Sequence, residues 1–221
     1  MKNLIVLVAC FTLAMAFPVL TLASKSDPSS HRHVTIDFED QRPGLLPNGW
    51  MVPTRNGEPA GNWKVVEDGK NKVLAQTSSS HWGSHFNVAV WNVVDFRDLE
   101  LSVRFKAIKG NEDQGGGPIW RFQGPGNYYI VRANPLEDNF RVYKVVDGRR
   151  IQLQSARLRV EKGKWHTIKV VMKGDHIVCY FNGRKYLDVH DKTFSNAGKI
   201  GVWTKADAVT YFDDLEIEEL P

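Results

Sequence analysis

From residue 34 onward, apolar and polar positions alternate with a period of two, in short runs broken by Gly, Pro, Asn and Asp. No helical period is sustained over three turns, so the pattern predicts an all-β chain. In the run 99–107, Leu99, Leu101, Val103, Phe105 and Ala107 alternate with Glu100, Ser102, Arg104 and Lys106. One face of such a strand is dry and the other wet. Similar runs fall at 34–38, 63–67, 72–76, 86–91, 118–122, 128–133, 140–146, 165–173, 177–181, 199–204 and 210–218. Asp68-Gly69, Asp147-Gly148 and Asn182-Gly183 lie between runs and supply residues that tolerate the positive φ of tight hairpins, which makes their flanking strands antiparallel. These signals predict a two-sheet antiparallel jelly-roll sandwich, a single domain over residues 34–221.

The N-terminus has a different pattern. Lys2 precedes an almost wholly apolar run from Leu4 to Ala23, followed by Ser24, Lys25, Ser26, Asp27 and Pro28. This reads as a secretory signal peptide, residues 1–23, with cleavage after Ala23 in preference to Ala16. A polar tether, 24–33, would follow, and the mature protein would be secreted or periplasmic with no membrane contact. Two minority readings compete: an uncleaved N-terminal anchor, which Pro18 argues against, and a lipoprotein site at Cys10, which too short an apolar stretch precedes.

Composition narrows the class. With 221 residues, 42% hydrophobic and 24% charged, the chain is neither disordered nor a multi-span membrane protein. The net charge of +4 is scattered along the sequence, so a nucleic-acid partner is not expected. Cys10 and Cys179 are the two cysteines. Removal of the leader would leave Cys179 without an internal partner.

Strand parity then separates side chains that a core requires from those it does not. In 128–134, Tyr129, Val131 and Ala133 take the core side, leaving Tyr128, Arg132 and Asn134 opposite. In 139–146, Phe140, Val142 and Val146 are expected to point inward and Asn139, Arg141 and Tyr143 outward. The loop 135–138 makes these two strands a hairpin, so their free faces adjoin. Arg121 from the preceding strand, and Trp203 and Lys205 from a late one, are expected on the same outer surface. Aromatic rings beside guanidinium and amide groups suit a saccharide, whose C–H faces stack and whose hydroxyls take planar hydrogen bonds. An ordinary exposed face with cross-strand pairs is the competing reading.

Catalytic and metal candidates are less concentrated. Hydrolysis of a glycoside calls for two opposed carboxylates. Spacing indicates no such pair, but the loops offer Glu112, Asp113, Glu137 and Asp207, and His81 could move a proton. His81 and His85 lack the helix that would turn both toward one zinc. No cofactor is required. Asp37 and Asp40 early, with Asp213 and Asp214 late, could hold one structural calcium if the terminal strands are neighbours. Asp213 shares parity with Leu215 and Ile217 and so needs a partner on an apolar face.

The segments Gly115-Gly116-Gly117-Pro118-Ile119-Trp120-Arg121, Asn127-Tyr128-Tyr129-Ile130-Val131-Arg132, Trp165-His166, Phe181-Asn182-Gly183, Gly198-Lys199-Ile200-Gly201-Val202-Trp203 and Phe212-Asp213-Asp214-Leu215 together resemble the concanavalin A-like or laminin-G-like sandwich superfamily. Within it the order is most similar to the 3-keto-disaccharide hydrolase domain. The resemblance implies a sandwich fold and a carbohydrate ligand or substrate. It implies, as alternatives to binding, a glycoside hydrolase acting on 3-keto-disaccharides or related glycosides, or a laminin-G-type protein-interaction domain. Three glycines stand where the family usually has Asn-Ser-Gly before its arginine, and the strand after it lacks the usual acid, which places binding ahead of hydrolysis.

Overall fold

The computed structural model describes Arg32–Pro221 except Asn56 and Pro59. The expected signal peptide, Cys10 and most of the expected tether lie outside the described residues. Among the described residues there is no helix, and hence none long and apolar enough to cross a membrane.

Fifteen strands follow one another among the described residues: β1 (His33–Ile36), β2 (Trp50–Met51), β3 (Trp63–Asp68), β4 (Asn71–Gln76), β5 (Phe86–Phe96), β6 (Leu99–Lys109), β7 (Gly116–Gly124), β8 (Asn127–Asn134), β9 (Asn139–Val146), β10 (Arg149–Arg157), β11 (His166–Lys173), β12 (His176–Phe181), β13 (Arg184–His190), β14 (Gly198–Lys205) and β15 (Val209–Glu219). They form two antiparallel sheets. The eight-stranded sheet runs β13-β12-β11-β6-β15-β4-β3, with β1 also on β15, and the seven-stranded sheet runs β10-β9-β8-β7-β14-β5-β2. The fold is the expected all-β sandwich. Its first strand begins inside the expected tether, because His33 pairs with Glu218 and Arg32 Nε donates to Glu219 Oε2 at 2.6 Å.

The core between the sheets is built from the alternation seen in the sequence. Leu99, Leu101, Val103 and Phe105 of β6 meet Tyr129, Val131, Phe140 and Val142 from the other sheet. Trp120 stacks on Tyr129 with ring centroids 5.6 Å apart, and its indole nitrogen donates to Met172 Sδ at 2.8 Å. Cys179 is buried here, and burial pushes its thiol up, so it packs rather than reacts.

A second apolar layer covers the other face of the seven-stranded sheet. Val88, Val90, Ile119, Phe122, Tyr128, Ile130, Tyr143, Val145 and Trp203 cluster there, with Met51 and Phe86 packed against them. Segments before β3 and before β5 close over it. Arg55 Nη2 donates to the Asp147 carbonyl at 2.7 Å, and Arg55, Glu58, Gly61, His85, Phe86 and Gly148 share the walls of a cavity of about 40 Å³. The sheet is therefore dry on both sides across much of its width. The expected exposed aromatic face is covered.

Two bulges explain where parity misleads. Ile119 pairs with Gly201 but Phe122 with Lys199, so β7 carries one extra residue, and Arg121 there has φ +46°. A second irregularity lies between Asp213 and Glu216, where Asp214 has φ +44°. Phe212 and Leu215 both reach the core across it, and Asp213 does not share their side.

Candidate functional site

β8 and β9 bring Arg132, Asn134, Asn139, Arg141 and Tyr143 together at the end of the hairpin, with Arg132 opposite Arg141 and Asn134 opposite Asn139. Glu137, from the loop between them, is the hub. Its carboxylate accepts Arg132 Nη2 at 3.2 Å, Asn134 Nδ2 at 3.1 Å, Asn139 Nδ2 at 2.8 Å and Arg141 Nη1 at 2.8 Å. Burial alone would raise its pKa; the hydrogen bond from Asn139 and the charge of Arg132 outweigh this and hold Glu137 below the usual carboxylate range. Arg132, only 1% exposed, also donates to Asn139 Oδ1 at 3.0 Å and to the Tyr143 hydroxyl at 3.4 Å.

Asp113 adds a second carboxylate. Its Oδ1 accepts Gly115 N at 2.6 Å and Asn134 Nδ2 at 3.1 Å, so one amide nitrogen bonds both acids. Burial pushes Asp113 up, against the pull of Arg132 and Lys205. Lys205 Nζ lies 3.8 Å from Asp113 Oδ2 and 3.5 Å from Glu112 Oε1. Asp207 holds this loop in place: its carboxylate accepts the backbone N–H groups of Asn111, Glu112 and Asp113 at 2.6, 3.0 and 3.0 Å. Gly117 stands between Arg132 and Trp203 in the sheet. A Cβ there would lie 2.0 Å from the Val131 carbonyl oxygen, so the glycine run serves a close approach of strands.

Beside the polar cluster lies an aromatic floor. Tyr128, Tyr143 and Trp203 are buried, and the Arg150 guanidinium sits 4.5 Å from the Tyr143 ring centroid, 5.4 Å from Trp203 and 5.7 Å from Phe86. The Tyr128 hydroxyl and the Trp203 indole nitrogen are buried close to each other. Arg132 Nε and Arg150 Nη1 are likewise buried without a partner. Burial pushes the Tyr128 phenol up and Arg150 down.

The structure thus gathers Glu112, Asp113, Tyr128, Arg132, Asn134, Glu137, Asn139, Arg141, Tyr143, Trp203 and Lys205 into one neighbourhood. It does not bring Arg121 there. The β7 bulge turns that side chain away, and its guanidinium instead donates to Arg97 O at 2.8 Å, Phe194 O at 2.5 Å, Gly174 O at 2.8 Å and Asp98 Oδ1 at 2.9 Å. Asp207 is consumed by backbone, and His81 bonds Asn87 Oδ1 at 2.7 Å and packs on His85 at 3.9 Å between ring centroids. The two histidine rings meet without a helix. Arg150 was not foreseen, since β10 lacks an apolar alternation, but the Asp147-Gly148 turn implies its register: Arg149 must face Val146 and Arg150 Val145.

The calcium candidates do not form a cage. β1 and β15 are neighbours as the proposal needs, yet Arg104 Nη1 lies 2.8 Å from Asp214 Oδ2, placing a cation where the metal would go. Asp213 Oδ2 accepts Asn71 Nδ2 at 2.7 Å, and Asp37 Oδ1 accepts Glu39 N at 3.2 Å. Among the described residues no group of three or more His, Cys, Asp or Glu could hold an ion.

The two-sheet antiparallel sandwich has the fold of the concanavalin A-like class, and it gathers arginines, carboxylates and rings on one sheet face. Within that class, this chain belongs to the 3-keto-alpha-glucoside-1,2-lyase-like domain family, which matches residues 43–218. Comparison with curated proteins returns no match. Among solved structures it is similar to the carbohydrate-binding module CBM66 from Bacillus subtilis, with TM-score 0.64, 19% identity, and 77% of this chain and 96% of that one covered. It is also similar to a mutant of the GH43 protein BlXynB from Bacillus licheniformis, with TM-score 0.62, 15% identity, and 84% and 39% covered. A third is domain 4 of AbnA, a GH43 extracellular arabinanase from Geobacillus stearothermophilus, in complex with arabinotriose, with TM-score 0.57, 12% identity, and 86% and 93% covered.

Proposed function

We propose that the protein is exported and binds a saccharide on the outer face of the seven-stranded sheet. The observation that carries this reading is the joining of an aromatic floor, Tyr128, Tyr143 and Trp203, to a guanidinium–carboxylate–amide cluster with unpaired buried polar atoms between them. Saccharide sites need both parts: rings for C–H faces and fixed donors and acceptors for hydroxyls. The family match and the sugar-related sandwiches it resembles support the same ligand class. Arg141 and Glu137 form the accessible rim, and Arg132 and Asn139 fix their geometry.

A second reading, turnover of a glycoside, is favoured by one observation. Asp113 and Glu137 share Asn134 yet are pushed in opposite directions, which is the arrangement an acid and a base require. In that reading Asp113 carries the proton and Glu137 stays ionised.

A glycan array run beside a hydrolysis screen on 3-keto and plain disaccharides tests both. Binding that falls at least about tenfold in Arg141→Ala, with an unchanged melting curve, is the expected result. Turnover lost in Asp113→Asn while affinity persists would establish the enzyme. An array on which the chain binds nothing, with no turnover, would overturn both readings.

A further inference from the structure

Arg150 is the charge that the site does not account for. It rests on Tyr143, Trp203 and Phe86, its Nη1 is buried without a partner, and among the described residues it forms no ion pair with a carboxylate. The two acids whose charges it feels most, Asp113 and Glu137, are already committed to Gly115, Asn134, Asn139, Arg132 and Arg141. A guanidinium held on rings away from a counter-charge is an unfavourable resting state that an incoming anion would relieve.

The other unpaired atoms on the face point the same way. Arg132 Nε can only donate, and the Tyr128 hydroxyl, beside the Trp203 indole N–H, has its own proton to place. A neutral sugar hydroxyl can satisfy one such donor while adding a proton of its own to place. An oxyanion brings acceptors only, and a planar carboxylate matches the fork of a guanidinium.

We propose that the saccharide this face takes is acidic, and that Arg132 and Arg150 receive its carboxylate or sulfate over the Tyr143 and Trp203 rings. This rests on the saccharide reading above. Arg150 then acts as a cover in the free protein and a clamp in the complex. Arg150 and the Phe86 ring both pack on the Trp203 indole, so both must turn for a ligand to reach it.

The test is calorimetry on matched pairs: uronate oligosaccharides against their carboxyl-reduced counterparts, and sulfated against unsulfated neutral chains, at low salt and at 0.5 M salt. The acidic member should bind at least about tenfold tighter, the gap should narrow with salt, and free glucuronate should shift the Trp203 indole N–H resonance. Arg150→Gln should bring the ratio of acidic to neutral affinity close to one, and Arg150→Lys should keep part of the preference. A gap confined to the sulfated pair supports the oxyanion with sulfate as its source. Reduced or unsulfated partners binding as tightly as the acids would overturn this inference and leave saccharide binding standing. Failure of every member to bind would remove both.

Discussion

Two single residues divide stability from recognition. Arg121 shares the residue type and the approximate sequence position of a ligand-binding arginine, yet its guanidinium joins three turns through Asp98, Gly174 and Phe194. Removing it would strand buried carbonyls and an acid, at a cost of about 3–5 kcal/mol. Arg121→Met should therefore lower the urea midpoint steeply, and whatever fraction stays folded should bind saccharide with wild-type affinity. Asp213 is 1% exposed and has one unpaired oxygen; burial, opposed by the Asn71 hydrogen bond, raises its pKa to about 6. The unfolded chain releases this proton near pH 4 and the folded protein near pH 6. The stability that comes from the protonated form is thus complete below about pH 4 and is lost as the pH rises through about 6. Asp213→Asn should stabilise the protein at pH 7–8 by on the order of 1–2 kcal/mol and flatten the loss between pH 4 and 6, read from thermal melts across that range.

Elements show what the pattern of apolar positions could and could not reveal. Strands such as β6 and β11, with a core on one side, are legible because their alternation is imposed by burial. β10 and β13 are not: they are edge strands of composition RRIQLQSAR and RKYLDVH, whose side chains mostly meet water. The hidden part of the site followed from this, since Arg150 lies on β10. Two-residue periodicity also fails at a bulge, which is why Arg121 and Asp213 were assigned to the wrong sides. The β9–β10 turn now carries a prediction of its own. Gly148 has φ +78°, and a Cβ there would fall 2.2 Å from the Arg55 guanidinium carbon. Gly148→Ala should cost roughly 1–2 kcal/mol and release Arg55 from the Asp147 carbonyl. Because that turn sets the register that carries Arg150 to the rings, ligand affinity should fall together with the melting temperature, whereas a stability change alone would show that the turn does not position the arginine.

At the scale of the whole molecule, the proposed recognition face and the main core draw on the same sheet. The seven-stranded sheet contributes Tyr129, Val131 and Phe140 to the main core and Tyr128, Ile130 and Tyr143 to the site, alternating along β8 and β9. A ligand resting on the second set stiffens strands that the first set anchors, so binding should be read out as global stability. Cys179 provides the probe: it is fully buried in β12 of the opposite sheet, and no ligand on the site face could shield it directly. If its thiol is reached only through global unfolding, ligand at 100 times its dissociation constant adds about 2.7 kcal/mol and slows labelling about a hundredfold. Mass-spectrometric labelling that follows the Cys179 peptide checks this. A rate that does not respond to ligand would mean that β12, one strand from the sheet edge, opens locally and that the two sheets do not unfold as one unit.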